Sequence, residues 1–284
     1  MSPLTDPFSA QNPFRSFSLS IWNANGLRAS TVHDVLSHVL HTDVLFVTET
    51  WLTAGYLPIE WSQYHLYGKK LVNAHNRESG GVSALISPHC QHSVSQFPSL
   101  NAYTLSLKID KVNVHCVYFP PSISNDLVLS ALQQIPLHSD SIICGDFNAR
   151  FGALTGDSAT NPRGLAMATW LEQCGLAVLN SSLSPGVATF STFRREREIS
   201  SIIDLFITNI PERDMRSAQI VVESDLSLGS DHRLLTLSFD HVSVAAGASA
   251  PTLAPRRLWN LSRLQDKEPL ELFRSKFRSS VSPL

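Results

Sequence analysis

The sequence predicts an α/β fold, and three observations carry that prediction. Apolar runs of strand length recur along the chain, such as 44–47, 82–86 and 142–144, and each is too short for a buried helix. Between the alternating stretch 17–21 and the run 44–47 lies a segment of helical periodicity, so these residues read as a βαβ unit, whose two strands lie parallel at one sheet edge. Segments 103–109 and 112–117 alternate about Asp110-Lys111, the pattern of an antiparallel hairpin.

In chain order, residues 1–16 are rich in Ser, Pro and Asn and read as a flexible lead-in. Phe17, Leu19 and Ile21 alternate with serines as a half-buried strand that delivers Trp22-Asn23-Ala24-Asn25-Gly26 to its end. Ser30 or Thr31 caps a helix running to about His41, with Val32, Val35, Leu36, Val39 and Leu40 on one face. Its histidines, His33, His38 and His41, fit a solvated face better than a metal site, because no Cys or carboxylate pattern accompanies them.

The next strand, 43–49, ends in Glu49 just where Val47 closes the apolar run, beside Asn23. Residues 64–70 and 80–86 read as further strands, and His89-Cys90-Gln91-His92 as a polar strand-end turn, being half a metal site without a second half. The hairpin strand 112–117 leads into Tyr118-Phe119-Pro120-Pro121, where the prolines stop pairing and leave the Tyr118 hydroxyl at the strand mouth. Asn125 or Asp126 caps a helix to about Gln134.

The stretch 141–152 follows. Ile142 to Cys144 is a buried strand that empties through Gly145 into Asp146-Phe147-Asn148. Extended backbone would send Asp146 and Asn148 into one cleft and Phe147 into the core. The same residues are also ordinary turn formers, so the stretch alone does not decide between a turn and a site. A polar loop, 153–163, precedes a helix 165–174 closed by Gly175, and a short strand 176–179. Strands 188–194 and 202–208 flank Arg195-Glu196-Arg197-Glu198, an exposed tip whose arginines, with Arg194, have the chemistry to touch phosphates.

Asp204 interrupts an apolar run, and a carboxylate there is expensive unless paired. Its natural partner is His232 in Ser230-Asp231-His232, which precedes the strand 234–239. Residues 242–255 read as a linker and 259–277 as a weakly helical basic segment.

Composition narrows the class. The 284 residues are 43% hydrophobic with a net charge of -2, which describes an ordinary globular chain with a large core. No run approaches the roughly 18 to 20 apolar residues of a membrane span, and no signal peptide opens the chain, so a nuclear or cytoplasmic, unsecreted protein is expected. Four widely spaced cysteines without a Cys-x-x-Cys read as buried thiols of a reducing compartment. The basic residues cluster after residue 250, which leaves a mildly acidic body, so any nucleic-acid contact must be local.

Collected, the strand-end polar residues are Asn23, Glu49, Tyr118, Asp146, Asn148, Asp204, Asp231 and His232. Oxygen donors with a single histidine suit Mg²⁺ or Mn²⁺ rather than zinc. Such a set, with an Asp or a His-Asp pair to prepare water, points to hydrolysis of a phosphate ester, and the Asn23 and Asn148 amides with the Tyr118 hydroxyl can donate to the phosphoryl oxygens.

These residues, in the order Trp22-Asn23-Ala24-Asn25-Gly26, Thr48-Glu49-Thr50-Trp51-Leu52, Tyr118-Phe119-Pro120-Pro121, Gly145-Asp146-Phe147-Asn148, Ser201 to Asp204 and Ser230-Asp231-His232, resemble the endonuclease/exonuclease/phosphatase family over about residues 17–241. The resemblance implies a four-layer α/β sandwich of two mixed, mostly antiparallel sheets with helices outside. It implies Glu49 as metal ligand with Asn23 and Asp231, Asp204 orienting His232, and Asp146 and Asn148 acting on the attacking water. Whether Asp146 or His232 is the base stays open. Asn25, Arg194, Arg195, Ser201 and Ser230 are the expected substrate contacts. The wording, including Asn148-Ala149-Arg150, Gly156-Asp157 and Arg163-Gly164, is most similar to the apurinic-type endonuclease of non-LTR retrotransposons. That implies nicking of double-stranded DNA to leave a 3′-hydroxyl, with a reverse transcriptase domain as partner in a longer polyprotein. Repair-type apurinic endonucleases, phosphatases and sphingomyelinases share the expected fold, and a catalytically inactive binding scaffold is the rival of a different class.

Overall fold

The computed structural model describes residues 15–27, 29–39, 41–70, 78–223 and 228–241. The N-terminal lead up to residue 14 and the linker with its basic segment from 242 lie outside them. The elements are, in order, β1 (Arg15–Asn23), α1 (Ala29–His38), β2 (Val44–Thr48), β3 (Ser62–Leu66), β4 (Lys69–Lys70), β5 (Glu78–Ser79), β6 (Val82–Ile86), β7 (Val94–Gln96), β8 (Thr104–Ile109) and β9 (Val112–Tyr118). There follow α2 (Asn125–Gln133), β10 (Ser141–Asp146), α3 (Pro162–Cys174), β11 (Ala177–Val178), α4 (Asn180–Leu183), β12 (Phe190–Arg194), β13 (Arg197–Ser201), β14 (Asp204–Thr208), β15 (Met215–Val222) and β16 (Leu235–His241).

Two six-stranded sheets form, in the orders β15-β16-β1-β2-β6-β3 and β11-β14-β10-β9-β8-β7. Each contains one parallel pair, β1 with β2 and β9 with β10, and is otherwise antiparallel. Period-two alternation explains the layers. Phe17, Leu19 and Ile21 meet Val114, Cys116 and Phe206 between the sheets. On the outer face of the first sheet Trp22, Leu45, Val47 and Leu85 receive Val32, Val35 and Leu36 of α1. On that of the second, Val117, Ile143, Leu205 and Ile207 receive Val128 and Leu132 of α2 and Met167, Trp170 and Leu171 of α3. The result is the expected four-layer α/β sandwich.

Several local expectations shift. Ser18 and Ser20 of β1 are buried as well, because β1 is flanked on both sides and Ser20 Oγ bonds to Thr42 and Thr236. Helix α1 closes at His38, where the Val39 N–H turns back to the Leu36 carbonyl, rather than near His41. The expected strand 64–70 is split into β3 (Ser62–Leu66) and β4 (Lys69–Lys70), because the Gly68 N–H between them pairs with the Leu52 carbonyl and leaves the ladder. His92 sits in a turn, as expected, and its Nδ1 lies 2.9 Å from Asp110 Oδ2 and its Nε2 3.3 Å from the Ser16 carbonyl, tying the β8–β9 turn to β1. All four cysteines are free.

Register places the site. Parallel pairing sets Asn23 opposite Thr48, the residue before Glu49, and Asp146 opposite Tyr118. Antiparallel pairing sets Asp146 opposite Asp204, and His232 enters just before β16 beside the end of β1. The carboxyl ends of both parallel pairs therefore open at one mouth of the sandwich.

Candidate active site

Gly145 precedes Asp146 with φ +121°, and a methyl there would lie 2.1 Å from the Val117 carbonyl oxygen. Only glycine lets β10 approach β9 this closely at the residue before Asp146. Asp146 is buried, and the chain then turns rather than continuing extended, with Asn148 at φ +50°. The Asn148 backbone N–H donates to Asp146 Oδ1 at 2.9 Å, an Asx turn. The turn reading and the site reading of this stretch thus describe the same object. Phe147 is fully buried, as alternation requires.

Donor bookkeeping assigns roles that residue types alone did not. Asn148 Nδ2 donates to Asp146 Oδ2 at 3.0 Å and to the Phe119 carbonyl at 3.2 Å. Both its N–H groups are used, so the side chain presents Oδ1, an acceptor, to the cleft; the expected donation from Asn148 to a phosphoryl oxygen does not fit. Asn23 is buried and bridges the two sheets: Nδ2 donates to Asp146 Oδ2 at 2.9 Å and to Glu49 Oε1 at 3.4 Å, while Oδ1 accepts from the Asn25 N–H at 2.9 Å. That makes Asn23 a spacer between two carboxylates with its own oxygen already engaged. The Tyr118 hydroxyl donates to Glu49 Oε1 at 2.5 Å instead of standing free at the strand mouth. Burial and the Glu49 charge push its acidity far beyond reach at physiological pH.

Across the cleft His232 Nδ1 lies 2.9 Å from Asp204 Oδ2, which leaves Nε2 for the cleft. The pair is held from behind. Thr189 Oγ1 accepts the N–H groups of Ile203 and Asp204, each at 3.0 Å, and the Phe190 ring meets the imidazole edge-on at 4.9 Å. Ser230 Oγ donates to the Asn23 carbonyl at 2.6 Å and accepts the His232 N–H at 3.1 Å, so this expected substrate contact braces the two halves of the site.

The electrostatics follow from crowding. Burial and then the neighbouring Asp204 push Asp146 well above the ordinary carboxylate range, against the pull of His232, the Asn148 N–H and Asn23. Burial pulls His232 down, but Asp204, helped by Asp146 and Glu49, outweighs it and raises the imidazole to about 9.

Asn25, Glu49, Asp146, Asn148, Arg194, Ser201, Asp231 and His232 line one cleft of about 420 Å³. Arg195 lies at the β12–β13 turn with φ +48° and is not part of its lining. Arg150 is, although residue reading gave it no role: its guanidinium pairs with Asp157, whose Oδ2 accepts the Ile202 N–H at 2.8 Å. Its signal was the Arg150 to Asp157 spacing within an otherwise polar loop. Asp146, Asp204 and His232 bring one ligand atom each within 4.8 Å of one another, a cluster able to hold a divalent cation. Glu49 and Asp231 add oxygen donors at the same cleft. The donor set therefore fits a hard cation, and within it Asp204 and His232 already satisfy each other.

Comparison with known proteins agrees with this geometry. A family model described as "Endonuclease-reverse transcriptase" matches residues 112–236. No curated protein sequence matches the chain. Among solved structures, the endonuclease domain of TRAS1, a telomere-specific non-LTR retrotransposon, aligns with a TM-score of 0.61 at 16% identity, covering 80% of this chain and 100% of that one. The apurinic endonuclease LMAP of Leishmania major aligns at 0.60 and 14%, covering 80% and 88%, and the 3′-5′ exonuclease NExo of Neisseria meningitidis at 0.57 and 16%, covering 78% and 99%. The family match therefore spans β9 to the start of β16, and the two-sheet sandwich with its acidic mouth has the fold of these endonuclease and exonuclease structures.

Proposed function

We propose that the protein is a Mg²⁺- or Mn²⁺-dependent endonuclease that nicks double-stranded DNA and leaves a 3′-hydroxyl, the reading closest to a retrotransposon target-site nuclease. One observation carries it: a hydrogen-bonded chain Tyr118–Glu49–Asn23–Asp146–Asn148 faces the Asp204–His232 pair across a single cleft.

Glu49, with Asp231 nearby, would hold the cation, which when bound polarises the scissile phosphate and stabilises the leaving oxygen. Asn148 Oδ1 and Asp146 accept the hydrogens of the attacking water, and the raised basicity of Asp146 suits it to take the proton. His232, cationic at neutral pH and steadied by Asp204, donates through Nε2 to a phosphoryl oxygen as charge grows there. Water adds to phosphorus while the bond from phosphorus to the 3′-oxygen breaks, giving a 3′-hydroxyl and a 5′-phosphate. Asn25 and Arg194 at the cleft wall, with Arg195 on the adjoining hairpin tip, are placed to meet flanking phosphates, and Ser201 lines the floor.

This reading sets the chain in a polyprotein with a reverse transcriptase, in the nucleus or cytoplasm. Among the described residues no helix is long and apolar enough to cross a membrane.

The test is supercoiled plasmid with Mg²⁺, with an EDTA control, followed by polymerase extension from the nick to score the 3′-hydroxyl. Asp146→Ala and His232→Ala should each slow nicking by about 10³-fold. Equal nicking by either variant, or cleavage of inositol phosphates or sphingomyelin with plasmid left intact, would overturn the reading.

A further inference from the structure

Arg163 is the second residue of α3 and is only 5% exposed. A buried guanidinium ordinarily answers to a carboxylate. This one instead gives Nη1 to the carbonyls of Phe119 and Phe147, each at 3.0 Å, and Nη2 to those of Pro120 and Ile123, each at 3.0 Å, and Pro121 at 3.4 Å. Every acceptor belongs to one of the two segments that leave the central parallel pair: the exit of β9 after Tyr118, and the Asp146-Phe147-Asn148 turn after β10.

The Phe119 oxygen is shared. It accepts from Arg163 and also from Asn148 Nδ2, the bond that turns the Asn148 carboxamide so that Oδ1 faces the cleft. A second tie runs through the helix cap. Asn161 Oδ1 accepts the N–H groups of Gly164 at 2.7 Å and Arg150 at 3.0 Å, while Asn161 Nδ2 donates to the Asn148 carbonyl at 3.0 Å. The N-terminus of α3 thus grips Asn148 from both sides without entering the reaction.

We infer that Arg163 is a positioning residue for the proposed hydrolysis, acting through the Phe119 carbonyl to fix the orientation of the Asn148 carboxamide toward the attacking water. The inference rests on the nuclease reading for its catalytic consequence, but its geometric content stands apart from that reading. Lysine at 163 keeps the charge and loses the fork, so it cannot span acceptors on both exits.

Two measurements test it. In the nicking assay, Arg163→Lys should lower kcat about 10- to 100-fold with KM within about 2-fold, because a displaced but intact group loses alignment rather than binding. Placed on Asn148→Ala, the same change should cost under about 3-fold, since the group it positions is already gone. Losses that multiply, or a rise in KM with kcat unchanged, would overturn the inference. The second measurement needs neither activity nor a folded variant: in ¹⁵N-asparagine-labelled parent protein, the side-chain NH₂ resonances assigned to Asn148 should exchange with solvent far more slowly than those of exposed asparagines. Free exchange of that group would sink the positioning role, and a parent that fails to nick plasmid while showing the slow exchange would overturn the nuclease reading alone.

Discussion

His232 shows how one contact sets a residue's chemistry. Desolvation alone would leave this imidazole neutral, and the Asp204 carboxylate 2.9 Å away, helped by Asp146 and Glu49, reverses the sign and raises it to about 9. Because the folded value exceeds the usual 6.5, the pair contributes stability fully below pH 6.5 and loses it as pH rises through 9. Asp204→Asn should therefore destabilise the metal-free protein by on the order of 2–3 kcal/mol at pH 6 and much less at pH 10, as measured by urea unfolding. In parallel, NMR titration should find the His232 midpoint below 6.5 in the variant. An unchanged midpoint would mean that Asp204 is not its main partner. Asp204 was legible in the sequence because a carboxylate inside Ile202 to Ile207 demands a partner. The roles of Tyr118 and Asn148 were not, because residue type says that a hydroxyl or an amide can donate and only the folded geometry says to whom.

At the scale of elements, two glycines decide whether the site forms. Gly145 lets β10 close on β9, and Gly164 lets the first turn of α3 rest on the loop, where a methyl would lie 2.0 Å from the Arg150 carbonyl oxygen. Neither clash involves a side chain that can swing away. Gly145→Ala and Gly164→Ala should each cost more than about 2 kcal/mol in denaturant unfolding, against under about 1 kcal/mol for Gly175→Ala, whose site is open apart from its left-handed backbone. Similar losses at all three positions would show that backbone conformation, not close approach, sets the cost. Elements with clean periodicity, such as β2, β8, β9 and α2, were readable from their apolar spacing. Strand β15 was not: Arg216, Ser217 and Gln219 on an edge strand, broken by a bulge at φ +54°, erase the alternation. Helix α4 is four residues, mostly serine and asparagine, and earns its place through Asn180, which bonds the backbone of Asp204 and Phe206.

For the whole molecule, the governing fact is that both parallel pairs discharge their carboxyl ends at one mouth, which gathers Glu49, Asp146, Asp204 and Asp231 around a single imidazole. The individual strands and helices were foreseeable from helical and two-residue periodicities, but the four layers and this convergence of strand ends drawn from two sheets came only through the motif resemblance, since no local pattern encodes which strands lie face to face. Asparagine donors and one imidazole cover part of the acidic charge, and a divalent cation would relieve the rest. Any ion that binds the folded chain alone stabilises it, by about 2.7 kcal/mol at a hundredfold excess over its Kd. Saturating Mg²⁺ should then raise the melting temperature by about 5 °C. The seat of the ion follows from which substitution removes that gain. Because Asp204 and His232 already satisfy each other, we expect Glu49→Gln to abolish it and His232→Ala to keep most of it. The opposite outcome would move the metal to the Asp146, Asp204 and His232 cluster and make the histidine a ligand rather than a donor to phosphate.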